Sequence, residues 1–326
     1  MNGTQDFGWL LLPVLEMPMP LQLVVMGWVC AVGMAIGSFL NVVISRLPQG
    51  ISIVSPRSRC PGCESPIAWY DNIPVLSWVL LRGRCRACKK AIAWRYPFIE
   101  LLGGAVAVAL VLRWGLSFGS LELLIFAFGL LALSFIDLDT FEVPLEILVI
   151  LAGNGIAFGG VGLFLQSGSS WPLWLHNIAA PSPMDGFISR LIGMAVGFLS
   201  LAAVNVLFTY WFRLRGRLEG DQWAMGWGDP LLLGAMGCTL GWHAIPLVVF
   251  LSSVQGAITG LILQRVGKMP AESYMDAREH NPERAQAEDD WVPPPSALPF
   301  VPFLALAGLE VAFFGDTLLI WLGDWM

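Results

Sequence analysis

The sequence FIDLDTFEVP, at residues 135–144, ends a long apolar run that begins at residue 118. A second acidic motif, GWGDP at residues 226–230, opens another apolar run. A carboxylate at the edge of a bilayer is costly unless it is paired, hydrated in a cavity or used in chemistry. The two motifs therefore predict a membrane protein in which Asp137 and Asp229 have a functional role.

The composition also indicates a membrane protein. Of the 326 residues, 56% are hydrophobic and only 13% are charged, whereas soluble domains carry roughly a quarter charged residues. No basic domain stands apart from the apolar segments, so nucleic-acid binding is not expected. The first twenty residues contain no Lys or Arg, which does not fit a cleaved signal peptide.

Eight apolar segments approach the length of about 20 residues that a helix needs to cross a bilayer. We therefore predict an all-α polytopic membrane protein with about eight transmembrane helices. The predicted spans are 21–43, 97–113, 118–136, 143–165, 187–212, 229–242, 245–264 and 299–322.

The positive charges predict the orientation of these spans. Segments 45–95, 213–217 and 265–284 hold 16 of the 18 Lys and Arg residues. With eight spans these three segments fall on one side, which the positive-inside rule makes cytoplasmic. The third span then ends, and the sixth begins, at the cytoplasmic face. Asp137 and Asp229 are thus expected on the same side of the membrane at similar depth.

Four cysteines form two C-x-x-C pairs in the first cytoplasmic segment. Two such turns can supply four thiolates to one tetrahedral zinc ion, and a closed shell of this kind is structural rather than catalytic. Disulfides or free thiols are the alternatives, but disulfides rarely persist in the cytoplasm. The predicted zinc ligands are Cys60, Cys63, Cys85 and Cys88.

Two neighbouring carboxyl groups can share one proton, and such a pair can activate water. We predict Asp137 and Asp229 as this pair, with Asp229 at the N-cap of the sixth span after a close-packed glycine turn. Asp139 and Glu142 are nearby acidic alternatives, and Asp139 is expected to be better hydrated than Asp137. The chain contains neither G-x-S-x-G nor H-E-x-x-H, so serine hydrolase and metalloprotease motifs are missing.

Taken together, the motifs resemble the type IV prepilin leader peptidase family, the GxGD-type membrane aspartic peptidases. The resemblance covers nearly the whole chain. It is carried by GSFLNVVISRLP (37–48), the paired C-x-x-C loop, YDNIP (70–74), RYPFIE (95–100), both aspartate motifs and PFLAL (302–306).

The resemblance implies a bacterial inner-membrane enzyme that removes the leaders of prepilins or pseudopilins at the cytoplasmic face, with Asp137 and Asp229 as catalytic residues. It also implies N-methylation of the new N-terminus from S-adenosylmethionine, associated with the N-terminal region. Asn41, Arg46, Arg95 and Glu100 are candidates to line a cofactor or substrate site, and interface anchoring explains them equally well.

The sequence departs from the family pattern at three positions. Leu145 stands where members usually carry an acidic residue or Asn, Leu231 where they carry Lys, and Val301 where they carry Gly before Pro302. These departures leave both aspartates in place but concern the residues that surround them.

Three regions are expected along the chain: an N-terminal segment with the first transmembrane helix (1–44), a cytoplasmic four-cysteine loop domain (45–96), and a membrane aspartic peptidase domain (97–326) with a flexible cytoplasmic loop (268–298). Three alternative functions remain open. They are a peptidase without methyl transfer, a transporter that uses the two aspartates as a coupling site, and a zinc-dependent scaffold for secretion proteins.

Overall fold

The computed structural model describes residues 10–12, 14–164, 182–216, 218, 223–267 and 297–323. Most of the predicted external segment 166–186, including Trp171 and Trp174, lies outside the described residues. Nearly all of the predicted loop 268–298 does too. The described chain forms two compact units, residues 1–128 and 129–326. The predicted division into 1–44, 45–96 and 97–326 stays a prediction.

The first unit contains two long helices and the cysteine-rich segment between them. Its two short strands pair antiparallel, with Leu10 opposite Ser117. The elements of this unit are β1 (Leu10–Leu12), α1 (Met19–Arg46), α2 (Leu76–Leu80), α3 (Arg95–Trp114), β2 (Leu116–Ser117) and the first part of α4 (Phe118–Thr140).

Glycines bring α1 and α3 into close contact. A Cβ atom added to Gly33 would lie 2.6 Å from the carbonyl oxygen of Gly103, and one added to Gly37 would lie 2.8 Å from that of Ile99. Small residues let membrane helices approach at backbone distance, where van der Waals packing is strongest. This packing fixes the start of α3 beside the end of α1.

The second unit begins within α4 and continues through five further helices among the described residues. Their close contacts again depend on glycine, because Gly193 packs on Gly237 and Gly155 packs on Cys238. The sequence GNG at 153–155 lies in the fourth predicted span, where two glycines two residues apart favour helix packing; Gly155 makes such a contact, while a Cβ atom added to Gly153 would have no neighbour within 4 Å. The helices are α5 (Leu145–Phe164), α6 (Pro183–Leu214), α7 (Gly228–Leu240), α8 (Ile245–Val266) and α9 (Val301–Gly323).

Within the described ranges, six helices are long and apolar enough to cross a membrane, so the all-α membrane fold is confirmed. The predicted count of eight is not. With 13 residues, α7 is about 20 Å long, which is less than the hydrocarbon thickness of about 30 Å. In α9, which has 23 residues, the described apolar part is Val301–Gly315. Apolar runs alone could not distinguish the short helix α7 from a full span.

Candidate active site and cysteine cluster

Asp137 lies on the last turn of α4 and only 4% of its surface is exposed. The helix ends at Thr140 because Phe141 takes a left-handed backbone conformation, with φ of 57°. Pro144 follows, and α4 could not continue through it, because proline lacks an N–H to donate and its ring disfavours a helical conformation of the residue before it. The local sequence thus ends α4 less than one turn beyond Asp137, which keeps this carboxyl group at a helix terminus.

The Asp137 carboxylate is held by the start of α9. The main-chain N–H of Val301 donates a hydrogen bond of 3.0 Å to Oδ2 of Asp137. The first N–H groups of a helix have no partner within the helix, so one of them is available for an acceptor from elsewhere. The contact uses only the backbone of residue 301, which explains why valine is accepted at this family-deviating position.

Asp229 lies in the first turn of α7 and is half-buried. The helix begins at Gly228 with Trp227 at the N-cap, so the prediction that Asp229 itself is the N-cap was wrong. Pro230 occupies the first turn, as expected, where its missing N–H costs nothing. Asp229 lies close enough to Asp137 for the two carboxyl groups to interact electrostatically.

The two acidic motifs are in direct contact through a glycine. A Cβ atom on Gly228 would lie 2.5 Å from Cγ2 of Val143, closer than real side chains approach. The close approach that we expected of the glycine turn is therefore found at Gly228. Gly226, by contrast, faces open space apart from one backbone atom at 4.0 Å. Gly228 is thus the glycine that lets the Asp137 loop and the Asp229 turn meet.

A buried amide in α6 holds the backbone that leads to Asp229. The Asn205 side chain donates to the Met225 carbonyl oxygen at 2.9 Å and accepts from the Met225 N–H at 3.0 Å. One turn further, the Thr209 hydroxyl accepts from the N–H of Ala224 at 2.9 Å. Sequence analysis missed both residues, although their spacing of four within an apolar helix places them on one face.

Other acidic candidates are placed differently. Asp139 is exposed and Glu142 is half-buried, whereas Asp137 is buried. Asp139 is therefore better hydrated than Asp137, as expected.

The four candidates for a cofactor site all lie in the first unit. The Asn41 amide donates to the carbonyl oxygens of Gly37 and Tyr96 at 3.3 and 3.2 Å. Arg46 donates to the Ser52 carbonyl at 3.0 Å, and Glu100 accepts from the Val75 N–H at 2.7 Å. Arg95 is half-buried and is the first residue of α3. These contacts tie the residues between α1 and α3 to both helices.

The four predicted cysteines converge, with their sulfur atoms all within 4.8 Å of one another. The sulfurs of Cys60 and Cys88 are 3.8 Å apart. In a tetrahedral zinc site with Zn–S bonds of about 2.3 Å, neighbouring sulfurs are about 3.8 Å apart. The cluster therefore fits a four-thiolate metal site.

Local hydrogen bonds favour the thiolate form at two of the four cysteines, whereas desolvation and the neighbouring thiols raise the pKa of Cys88 to about 11. The Ser65 hydroxyl lies 3.2 Å from the Cys63 sulfur, and this contact, together with the Ser65 backbone, lowers the pKa of Cys63 to about 6. Backbone N–H groups of Cys88 and Ala87 lower the pKa of Cys85. A lower pKa favours the deprotonated form that binds metal.

The structure thus has two carboxyl groups at helix ends, in electrostatic contact, within an all-helical membrane fold. This arrangement resembles the pair of carboxyl groups by which aspartic peptidases activate water. Residues 124–261 match the model of the type IV leader peptidase family, and residues 31–114 match that of the bacterial peptidase A24 N-terminal domain. The chain belongs to the type IV leader peptidase family.

Similar proteins carry the name prepilin leader peptidase/N-methyltransferase. The protein from Myxococcus xanthus is 33% identical, and the match covers 88% of this chain and 89% of that protein. The protein from Aeromonas hydrophila is 33% identical with the same coverage, and one from Burkholderia pseudomallei is 31% identical over 89% and 86%. No solved structure matches the chain.

Proposed function

We propose that this protein removes leader peptides from prepilins or pseudopilins at the cytoplasmic face of the bacterial inner membrane and then methylates the new N-terminus. The observation that carries the cleavage is the meeting of Asp137 and Asp229 at the ends of α4 and α7. The names of the relatives support both activities.

Cleavage follows from two carboxyl groups that share one proton. The ionised carboxylate takes a proton from water while the resulting hydroxide attacks the scissile carbonyl carbon. The neutral carboxyl group donates its proton to the carbonyl oxygen. When the tetrahedral intermediate collapses, the C–N bond breaks and the leaving amine takes up a proton. The Val301 N–H holds the Asp137 carboxylate in a fixed orientation throughout, which reduces the reorganisation that the reaction requires.

Methyl transfer would act on the amine that cleavage releases. Its nitrogen lone pair forms a bond to the methyl carbon, the C–S bond of S-adenosylmethionine breaks, and the nitrogen loses one proton. Asn41, Arg46, Arg95 and Glu100 are proposed as residues near that site, alongside their structural contacts. We further propose that Cys60, Cys63, Cys85 and Cys88 hold a structural zinc ion, which would fold the segment between α1 and α3.

The test of the catalytic pair is substitution by asparagine, which keeps the volume but cannot share the proton. Asp137→Asn and Asp229→Asn should each reduce leader removal from a purified prepilin by more than about 10³-fold, as loss of proton transfer and charge stabilisation together predict. Asp139→Asn is the matched control and should retain cleavage, because Asp139 is exposed. Mass spectrometry of the product, with S-adenosylmethionine present, measures leader loss and the added methyl group together. Retained cleavage in either catalytic variant would contradict the proposal.

A further inference from the structure

The segment between α1 and α3, residues 47–94, is here called the cysteine module. Its short helix α2 has two different faces. Ser77 and Trp78 point inward, since Ser77 bonds the Tyr70 carbonyl at 3.0 Å and Trp78 Nε1 bonds the Ile92 carbonyl at 3.1 Å. The opposite face presents apolar side chains to the outside. Leu76, Val79 and Leu80, spaced as i, i+3 and i+4, are 50%, 57% and 72% exposed.

A hydrogen bond gives the depth of α2 relative to the membrane. The N–H of Val75, the residue before α2, donates to the buried carboxylate of Glu100 at 2.7 Å. Glu100 is five residues into α3, or about 7.5 Å along its axis. With 20 residues, α3 is about 30 Å long, which only just spans the hydrocarbon layer. The start of α2 is thus level with the membrane-embedded part of α3 rather than beyond its end.

Two further features fit a position at the bilayer surface. Trp69 and Trp94 are 81% and 68% exposed, and tryptophan prefers the boundary between lipid headgroups and acyl chains. Residues 45–95 carry nine Lys and Arg residues against two acidic ones, and Arg82 and Arg84 directly follow α2. Basic side chains close to the membrane surface are attracted to an anionic leaflet.

We propose that α2 is an interfacial membrane helix, which inserts the side chains of Leu76, Val79 and Leu80 between the lipids of the leaflet that the cysteine module faces. We take lipid as the occupant of this face because the start of α2 is bonded to Glu100 of α3, and Phe98 and Leu101 on the same stretch of that membrane helix are exposed. The positive charge around it matches anionic headgroups. The module is then anchored to the membrane surface rather than held above it.

The test places the photoreactive residue p-benzoyl-phenylalanine at Leu80 in the full chain. The protein is reconstituted into vesicles of phosphatidylethanolamine and phosphatidylglycerol and irradiated. Benzophenone inserts into nearby C–H bonds, so we expect lipid adducts on the acyl chains, identified by mass spectrometry of the peptide. The same residue at Leu101 on α3 is the positive control. At Ala87, an exposed residue between Cys85 and Cys88, the yield of lipid adducts should be at least about tenfold lower.

Two results would overturn the proposal. A crosslinked dimer of the chain from position 80, without lipid adducts, would show that a second copy covers this face. A lipid yield at position 80 no higher than that at position 87 would place α2 in water. Leu80 is largely exposed, so its replacement leaves the packing of the module intact. Retained zinc content and retained methylation of a cleaved pilin would verify that the module of the labelled protein is folded.

Discussion

Gly228 shows how a single missing side chain can bring two acidic motifs together. Its Cα lies where Val143 leaves no space for a methyl group, and Val143 lies six residues after Asp137. The distance between the two aspartates therefore depends on a contact that neither aspartate makes. Gly226, two residues earlier, has no such neighbour.

Gly228→Ala should reduce leader cleavage at least about tenfold, because a rise of about 1.4 kcal/mol in the activation free energy is enough for that change. The second substitution Val143→Gly removes both clashing atoms and should restore part of the lost activity. Gly226→Ala is the matched control and should cleave at nearly the original rate. The measurement is the cleavage rate of Gly228→Ala, of Gly228→Ala/Val143→Gly, of Gly226→Ala and of Val143→Gly alone. Equal losses from Gly226→Ala and Gly228→Ala would show that the contact with Val143 is not responsible.

At the same scale, the sequence could predict the residues whose chemistry is unusual for their surroundings. An aspartate beside an apolar run and paired C-x-x-C turns are local signals, and the structure places Asp137 next to Asp229 and gathers all four thiols. The Val301 N–H could not be predicted, because it joins residues 164 positions apart through a backbone atom that every residue except proline possesses. The sequence determines such a partner only through the tertiary structure that brings the two residues together.

Helix α6 positions the loop before α7, a role that its apolar composition does not indicate. It is an apolar helix of 32 residues, yet its buried Asn205 forms two hydrogen bonds to one residue of the loop before α7. The Asn205 amide thus makes the two backbone hydrogen bonds, one to the N–H and one to the C=O, that a neighbouring β-strand would otherwise make with Met225. Helix α6 therefore determines where α7 begins, and with it the position of Asp229.

Asn205→Leu should lower kcat for cleavage by about tenfold or more while KM changes little, because Asn205 positions Asp229 and does not contact the scissile bond. The variant leaves two backbone groups of Met225 unpaired, which costs about 1–3 kcal/mol each where they stay buried. Thr209→Val removes the hydrogen bond from the Ala224 N–H and the 3.4 Å bond from the Thr209 hydroxyl to Asn205 Oδ1. It leaves both bonds between Asn205 and Met225 in place and should have a smaller effect. A rise in KM with unchanged kcat would instead indicate a role in substrate binding. Thermal unfolding of both variants separates positioning from loss of fold.

The cysteine turns show a second regularity at this scale. Glu64 and Lys89, each four residues after the first cysteine of a pair, both have positive φ, at 55° and 61°. The flanking bridges, Arg59 with Pro66 and Arg84 with Ala91, are also equivalent. Sequence analysis finds no internal repeat, because the two turns share backbone geometry and cysteines but few other side chains. Two equivalent turns that face each other supply the symmetric thiolates of a tetrahedral site.

The whole chain divides its chemistry between two compact units. The cysteine module and the residues proposed near the methyl-transfer site lie in residues 1–128, and both aspartates lie in residues 129–326. The two family models divide the chain at nearly the same place, with matches at 31–114 and 124–261. Cleavage and methyl transfer should then respond separately to substitutions in the two units.

The double substitution Cys60→Ser/Cys85→Ser provides the test, because it removes one ligand from each cysteine turn. The purified original protein should contain about one zinc ion per chain and the variant much less, while Cys30→Ser, outside the cluster, should keep its metal. We expect the double variant to lose methylation of an already cleaved pilin by at least about tenfold while leader cleavage changes only severalfold. Asp137→Asn should show the reverse, with no cleavage but continued methylation of the cleaved pilin. Metal analysis measures the zinc content, and mass spectrometry measures cleavage and methylation. A zinc-free double variant with both activities reduced equally would mean that the metal site supports the whole molecule rather than the first unit.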